Sequence, residues 1–497
     1  MGSSFLILHM AIILVMIIFL ESQTSATSSS HSSSPKSLLV LPLKTQTLPS
    51  SSSSSRKIPF KHNVTLTVSL TVGSPPQNVT MVLDTGSELS WLHCNRNQTT
   101  HSTFNPKLSS SYTPTPCSSS LCKTRTRDFP IPVSCDSNKL CHATLSYADA
   151  SSLDGNLAAD IFYLGGSPQP GVVFGCMDSS SFSSNADEDS MTTGLMGMNR
   201  GSLSFVTQMG LGKFSYCISG DSSPGVLLFG DARLSWLGPL MYTPLVKITT
   251  PLPYFDRVAY TVQLEGIRVG SKELQLPKSV FVPDHSGAGQ TIVDSGTQFT
   301  FLLGSVYSAL KEEFIAQTKG VLTVLNDPGF VFQVVMDLCY RVKAGGVGFW
   351  GAVPAVTLVF EGAEMRVSGE RLLYRVGEVA GGDWVYCFTF GNSDMLGIEA
   401  YVIGHHHQQN VWMEFDLVNS RLGFADINCR LANSKSKLLS LHNTLLAGIT
   451  MSFLSPCAMY NFLVASPSMR WMPCQSGGFF RWPGLDGFIR LLLLALL

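Results

Sequence analysis

Between Val64 and Val72 apolar and polar residues alternate at every position, Val-Thr-Leu-Thr-Val-Ser-Leu-Thr-Val. A period of two sends successive side chains to opposite faces, so this segment predicts a half-buried β-strand. Gly73-Ser-Pro-Pro-Gln supplies turn residues, and Val79–Leu83 predicts the returning strand. Short apolar runs broken by Gly, Pro, Asn and Asp continue to about Asn428. One stretch departs from this rhythm. Val306, Leu310 and Phe314 recur at every fourth residue, with Lys311, Glu312 and Glu313 among them, which predicts a helix with Ser305 as its N-cap. The predicted class is all-β.

The chain also repeats itself. Met81-Val-Leu-Asp84-Thr-Gly-Ser-Glu-Leu-Ser-Trp-Leu92 lies over Thr291-Ile-Val-Asp294-Ser-Gly-Thr-Gln-Phe-Thr-Phe-Leu302 without a gap. Each copy is followed by an apolar-apolar-Gly element, Leu195-Met196-Gly197 and Val402-Ile403-Gly404, at separations of 197 − 84 = 113 and 404 − 294 = 110 residues. Such self-similarity predicts two duplicated β-rich lobes, residues 57–238 and 239–430.

The flanks have another character. Phe5 to Leu20 is apolar apart from His9, and these sixteen residues fall short of the about 18–20 that a membrane span needs. With small residues at Thr24-Ser25-Ala26, residues 1–26 read as a signal peptide, so passage into the secretory pathway is expected, to an extracellular or endomembrane destination. No stable membrane span is then expected in the mature protein. Residues 27–56 are Ser-rich and read as a linker or short pro-segment, because such composition buries too little apolar surface to fold. Residues 431–497 form a tail of unknown role whose seven closing apolar residues after Arg490 are fewer than the about 10–20 of a lipid-anchor signal. With Lys+Arg 33 against Asp+Glu 34 there is no basic stripe, which excludes a nucleic-acid partner.

The candidate chemistry lies in the repeat. A single Asp-[Ser/Thr]-Gly is an ordinary turn. Two copies, each ending an apolar strand and each trailed by apolar-apolar-Gly, bring Asp84 and Asp294 to equivalent places in two lobes. Carboxylates that meet at such a seam cannot both ionise easily, so they share a proton and titrate as a pair. One then serves as general base toward water and the other as general acid toward a carbonyl oxygen.

Together these motifs resemble the pepsin-like aspartic proteases over about residues 57–430, specifically the plant atypical, nepenthesin-like branch and its "promotion of cell survival" type. The resemblance implies a bilobal fold with the site in the cleft, and an aspartic endopeptidase acting on polypeptide as a monomer without cofactor or metal. By position it implies Asp84 and Asp294 as the catalytic dyad, Thr85 and Ser295 as hydroxyls bracing the two loops, and Ser87 and Thr297 as outer partners of the carboxylates, with Gly86 and Gly296 in the turns. Tyr147 matches the flap tyrosine over bound substrate, and Trp91 the tryptophan supporting it. Plant proteins of this scaffold include glycosidase inhibitors, so a catalytically weak or inactive binding protein is the alternative. A glycosidase would have no use for duplicated loops.

Ten cysteines precede Arg430, enough for five bridges, and sequence alone leaves their connectivity open. Cys117 and Cys122 are close enough for a local loop, and the resemblance implies Cys217 with Cys429 and Cys339 with Cys387; Cys94, Cys135, Cys141 and Cys176 complete the set. Sequons at Asn63, Asn78 and Asn97 are glycosylation candidates in a secreted chain. His405-His-His407 reads as strand or turn, since three adjacent residues make a poor chelate.

Overall fold

The computed structural model describes residues 38–48, 64–94, 103–148, 151–178, 191–231 and 234–435, apart from 235, 328, 344, 347 and 380–381. The expectations for the signal peptide, for most of the tail, and for Asn63 and Asn97 fall outside these residues. The rest is mostly β, in sheets of fifteen, five, four and four strands.

The alternating segment forms the strand Val64–Val72, with Leu66, Val68, Leu70 and Val72 in the core. Thr65 and Thr67 are buried as well, so only the far end of the strand has a solvent face. Its partner is Gln77–Asp84, whose buried Met81 and Leu83 run directly into Asp84.

The duplication is visible in the strand order. Gly194–Gly197 lies parallel to Gln77–Asp84, with Gly197 opposite Asp84, and antiparallel to Trp91–Cys94. In the second half Ala400–Ile403 lies parallel to Gln290–Val293 and pairs antiparallel with Thr300–Leu302. Each half therefore places its apolar-apolar-Gly strand between the strand that delivers an aspartate and the strand that follows.

The two halves share a sheet. Lys213–Cys217 pairs antiparallel with Val411–Asp416, and Met241–Pro244 with Arg421–Asp426. Phe214 stacks on Phe415 with ring centroids 4.5 Å apart, and Tyr260 meets Phe415 edge-on at 4.6 Å. Apolar core and hydrogen-bonded ladder thus run together from one half to the other.

Three expectations are corrected. The segment read as a Ser-rich linker contains a strand, Leu39–Thr47. Its first part pairs with Gly225–Phe229 and its second with Val64–Thr67, while Leu41 and Leu43 enter the core. An apolar island of five residues, Leu39-Val-Leu-Pro-Leu43, pays the ordering cost that the surrounding serines cannot. Ser305 lies inside the helix Gly304–Thr318, whose N-cap is Leu303. The first-turn amide of Gly304 donates instead to Asp394 Oδ2 at 3.1 Å. Val306, Leu310 and Phe314 are buried as the periodicity predicted. Finally, Cys117 pairs with Cys135 and Cys122 with Cys141, so no local Cys117–Cys122 loop exists. The hairpin that sets Cys135 opposite Cys141 also brings the Cys117 amide to Lys139 O at 2.9 Å, so both upstream cysteines face the hairpin. The remaining pairs are Cys94–Cys176, Cys217–Cys429 and Cys339–Cys387. Asn78 is exposed on its strand.

Candidate active site

The two Asp-hydroxyl-Gly loops interlock. The Thr85 amide donates to Ser295 Oγ at 3.0 Å, and the Ser295 amide to Thr85 Oγ1 at 2.9 Å. Each hydroxyl passes its own proton across the seam, Thr85 to Val293 O at 3.2 Å and Ser295 to Leu83 O at 2.9 Å. All four groups are buried, so each bond lost strands a polar atom away from water. Replacing Thr85 with Val should lower unfolding stability by about 1–3 kcal/mol, read from the urea midpoint, whereas Thr85→Ser should keep most of it.

The carboxylates are held alike. Gly86 N–H donates to Asp84 Oδ1 and Gly296 N–H to Asp294 Oδ1, both at 2.8 Å. Ser87 donates to Asp84 Oδ2, and Thr297 donates to Asp294 Oδ2 at 2.5 Å. Glycine is required at both turns because each faces the opposite acid: a Cβ on Gly86 would stand 2.8 Å from Asp294 Oδ1, and one on Gly296 2.4 Å from Asp84 Oδ1. Burial pushes the Asp84 carboxyl well above the usual carboxylate range, and the negative charge of Asp294 raises it further. The pair can therefore hold one proton between them.

The same symmetry extends one layer back. Gly197 N–H donates to Ser90 Oγ at 3.1 Å and Gly404 N–H to Thr300 Oγ1 at 3.2 Å. Ser90 and Thr300 each stand six residues after their aspartate, so the gapless repeat already contained this layer, although its role could not be read from sequence.

Behind Gly404 the three histidines form a turn rather than a strand. His407 sits between two hydroxyls, Nδ1 at 2.7 Å from Thr300 Oγ1 and Nε2 at 2.7 Å from Thr389 Oγ1. Thr389 gives its proton to Arg371 O, so it accepts from His407 Nε2–H; Thr300 then donates to Nδ1. The neutral ring protonated on Nε2 satisfies this chain. Burial pushes the imidazole of His407 well below its ordinary range, with the charges of His406 and Arg371 acting in the same direction.

Asp84 and Asp294 line a cleft of about 730 Å³ together with Trp91, Tyr147, Leu195 and Val402. Trp91 Nε1 donates to Tyr147 Oη at 2.6 Å. Tyr147 stands at the end of the hairpin Cys141–Ser146 and Ser152–Leu164, where its amide donates to Ser151 O at 3.0 Å. Tyr216 and Gln408 escaped the sequence reading. The Tyr216 hydroxyl bonds Gln408 Oε1, and Gln408 Nε2 donates to Asp294 O at 3.2 Å, with no local sequence signal to mark either.

Residues 66–231 match the family described as xylanase inhibitor N-terminal, and residues 259–426 the one described as xylanase inhibitor C-terminal. The chain is 63% identical to aspartic proteinase PCS1 of Arabidopsis thaliana over 80% of its own length and 89% of that protein. It is 30% identical to aspartic proteinase nepenthesin-1 of Nepenthes gracilis over 73% of its length and 77% of the relative. Among solved structures, soybean basic 7S globulin superposes with a TM-score of 0.57 at 22% identity, covering 79% of this chain and 97% of that one.

Proposed function

The chain belongs to the pepsin-like aspartic proteinases of plants, and from that membership we propose that Asp84 and Asp294 activate a water for direct attack on a peptide bond. The observation that carries this reading is the interlocked pair of loops, in which each glycine abuts the other loop's carboxylate. The ionised acid takes a proton from water as the oxygen bonds to the carbonyl carbon. The protonated acid gives its proton to the carbonyl oxygen, forming a tetrahedral diol. The acid that took the water's proton then gives it to the amide nitrogen, the other acid takes a proton from a diol hydroxyl, and the C–N bond breaks to a carboxylic acid and an amine, with no covalent enzyme intermediate.

Ser87 and Thr297 fix the outer oxygens so that the inner ones face the water, and the Thr85–Ser295 brace keeps both loops in register. Tyr147 closes over the bound chain with its hydroxyl oriented by Trp91. Five disulfides suit an oxidising compartment, which supports passage through the secretory pathway.

The full chain incubated with an unfolded polypeptide at mildly acidic pH should cleave it. Pepstatin should block the reaction and chelators should leave it unchanged. Cleavage that survives pepstatin and stops with a chelator would overturn the mechanism. Absence of cleavage in all conditions, with tight binding to a glycosidase, would favour the binding-protein reading.

A further inference from the structure

Glu88 follows Ser87 directly, where the second copy of the repeat carries Gln298. The residue lines the same cleft as the dyad, yet it is only 9% exposed. Its Oε1 accepts the Leu203 N–H at 2.8 Å. Its Oε2 is buried and has no hydrogen-bond partner among the described residues. Gly201 leaves room for the carboxyl: a Cβ there would stand 2.2 Å from Glu88 Cδ and 2.3 Å from Oε2.

The charged neighbours do not compensate a carboxylate here. Asp128 and Asp256 both raise the cost of a negative charge, and Arg125 only partly offsets them. Among the described residues none of the guanidiniums near this wall donates to Glu88, although Arg200 Nε is buried without a partner. Arg125 donates to Ser202 O, Arg200 to Arg257 O at 3.1 Å, and Arg257 to Asp128 Oδ1 at 2.6 Å.

We propose that Glu88 is a positioning residue that works as a neutral carboxylic acid, clamping the Asn199–Leu203 segment against the Asp84 loop until ionisation unlocks it. The clamp matters because this segment braces the loop: Met198 N–H donates to Asp84 O at 2.8 Å and Asn199 N–H to Ser87 O at 3.1 Å. Ionised, Glu88 would carry an unpaired charge in a wall that already holds two acids. Swinging toward solvent relieves that cost but gives up the Leu203 amide and loosens the support beneath Ser87. Burial, helped by the charges of Asp128 and Asp256, outweighs the Leu203 amide, which favours the ionised form, and pushes the Glu88 carboxyl up to about 7, so the clamp is closed in acid and opens near neutrality. The proposal deepens the proteinase reading, on which its activity measurement rests; its unfolding measurement does not need that reading.

The test compares full-chain wild type with Glu88→Gln from pH 4.5 to 8. The amide keeps an acceptor for Leu203 and never ionises. The unfolding midpoint of the wild type should drop relative to that of the variant as pH rises from about 4.5 to about 7, with no further relative change above that. After a hold at pH 7.5, wild-type cleavage activity assayed at pH 5 should decay several-fold faster than that of the variant. Parallel midpoint curves would overturn the proposal. Wild type alone supplies a second check if the variant does not fold. Hydrogen exchange across Asn199–Leu203, corrected for intrinsic rates, should lose protection between pH 6 and 8, and constant protection would overturn the proposal. A chain that cleaves nothing at pH 5 sinks the proteinase reading and leaves the midpoint comparison intact.

Discussion

Asp84→Asn and Asp294→Asn should each lower kcat/KM for polypeptide cleavage by about 10²–10⁴-fold while leaving the chain folded. Asparagine retains an oxygen to accept the Gly86 or Gly296 amide, and the Ser87 or Thr297 hydroxyl can reorient to meet its amide nitrogen. What disappears is the proton held between two acids. At position 84 stability should move the other way. The carboxyl of Asp84 is held above its ordinary range by burial and by Asp294. The folded state therefore binds more protons than the unfolded chain above the ordinary carboxylate pKa, and stability falls as pH rises there. Asp84→Asn removes that slope, so its unfolding midpoint at pH 7 should exceed that of the wild type. Unchanged activity in either variant would sink the dyad. An activity loss accompanied by a lower midpoint would point to misfolding.

The second large effect is an acid limit set in the second half. His406 is pushed down to about 4 by burial, with Arg371 adding to the cost of a second positive charge. A depressed imidazole is neutral when folded and protonated when unfolded, between about 4 and its ordinary 6.5. Stability is therefore complete above about 6.5 and is lost as pH falls toward 4. His406 alone accounts for about 3 kcal/mol of that loss, and His407 adds to it in the same direction. The urea midpoint of the wild type should drop sharply between pH 6.5 and 4.5. His406→Phe, which keeps ring packing against Phe299 and Tyr374, should flatten the drop. Identical pH dependence in the variant would rule out the histidine as its source. Combined with the Glu88 clamp, this predicts a folded site confined to a band of mild acidity.

Sequence exposed those parts of the molecule that are encoded locally. Val64–Val72 was legible because its period of two is intrinsic to one strand. The paired loops were legible because a twelve-residue pattern built on Asp-hydroxyl-Gly-hydroxyl occurs twice without a gap, so each copy supports the other. Leu39–Thr47 was not, because five apolar residues amid serines acquire strand character only when Gly225–Phe229 and Val64–Thr67 lie on either side. The Cys117–Cys135 and Cys122–Cys141 pairs were hidden for a related reason: proximity along the chain says nothing about how an intervening hairpin turns. Glu88 was in plain view within the repeat, but its chemistry depends on Leu203 and Gly201, more than a hundred residues away.

The ladder between Lys213–Cys217 and Val411–Asp416, closed by a disulfide spanning 212 residues, dictates a timetable during synthesis. At about 5–20 residues per second, roughly 10–40 seconds separate the emergence of Cys217 from that of Cys429. Through that interval the first half has an unfinished β-edge and an unpaired thiol. The connectivity of the chain thus fixes an order in which the first half must wait, its edge and thiol unpaired, for the second.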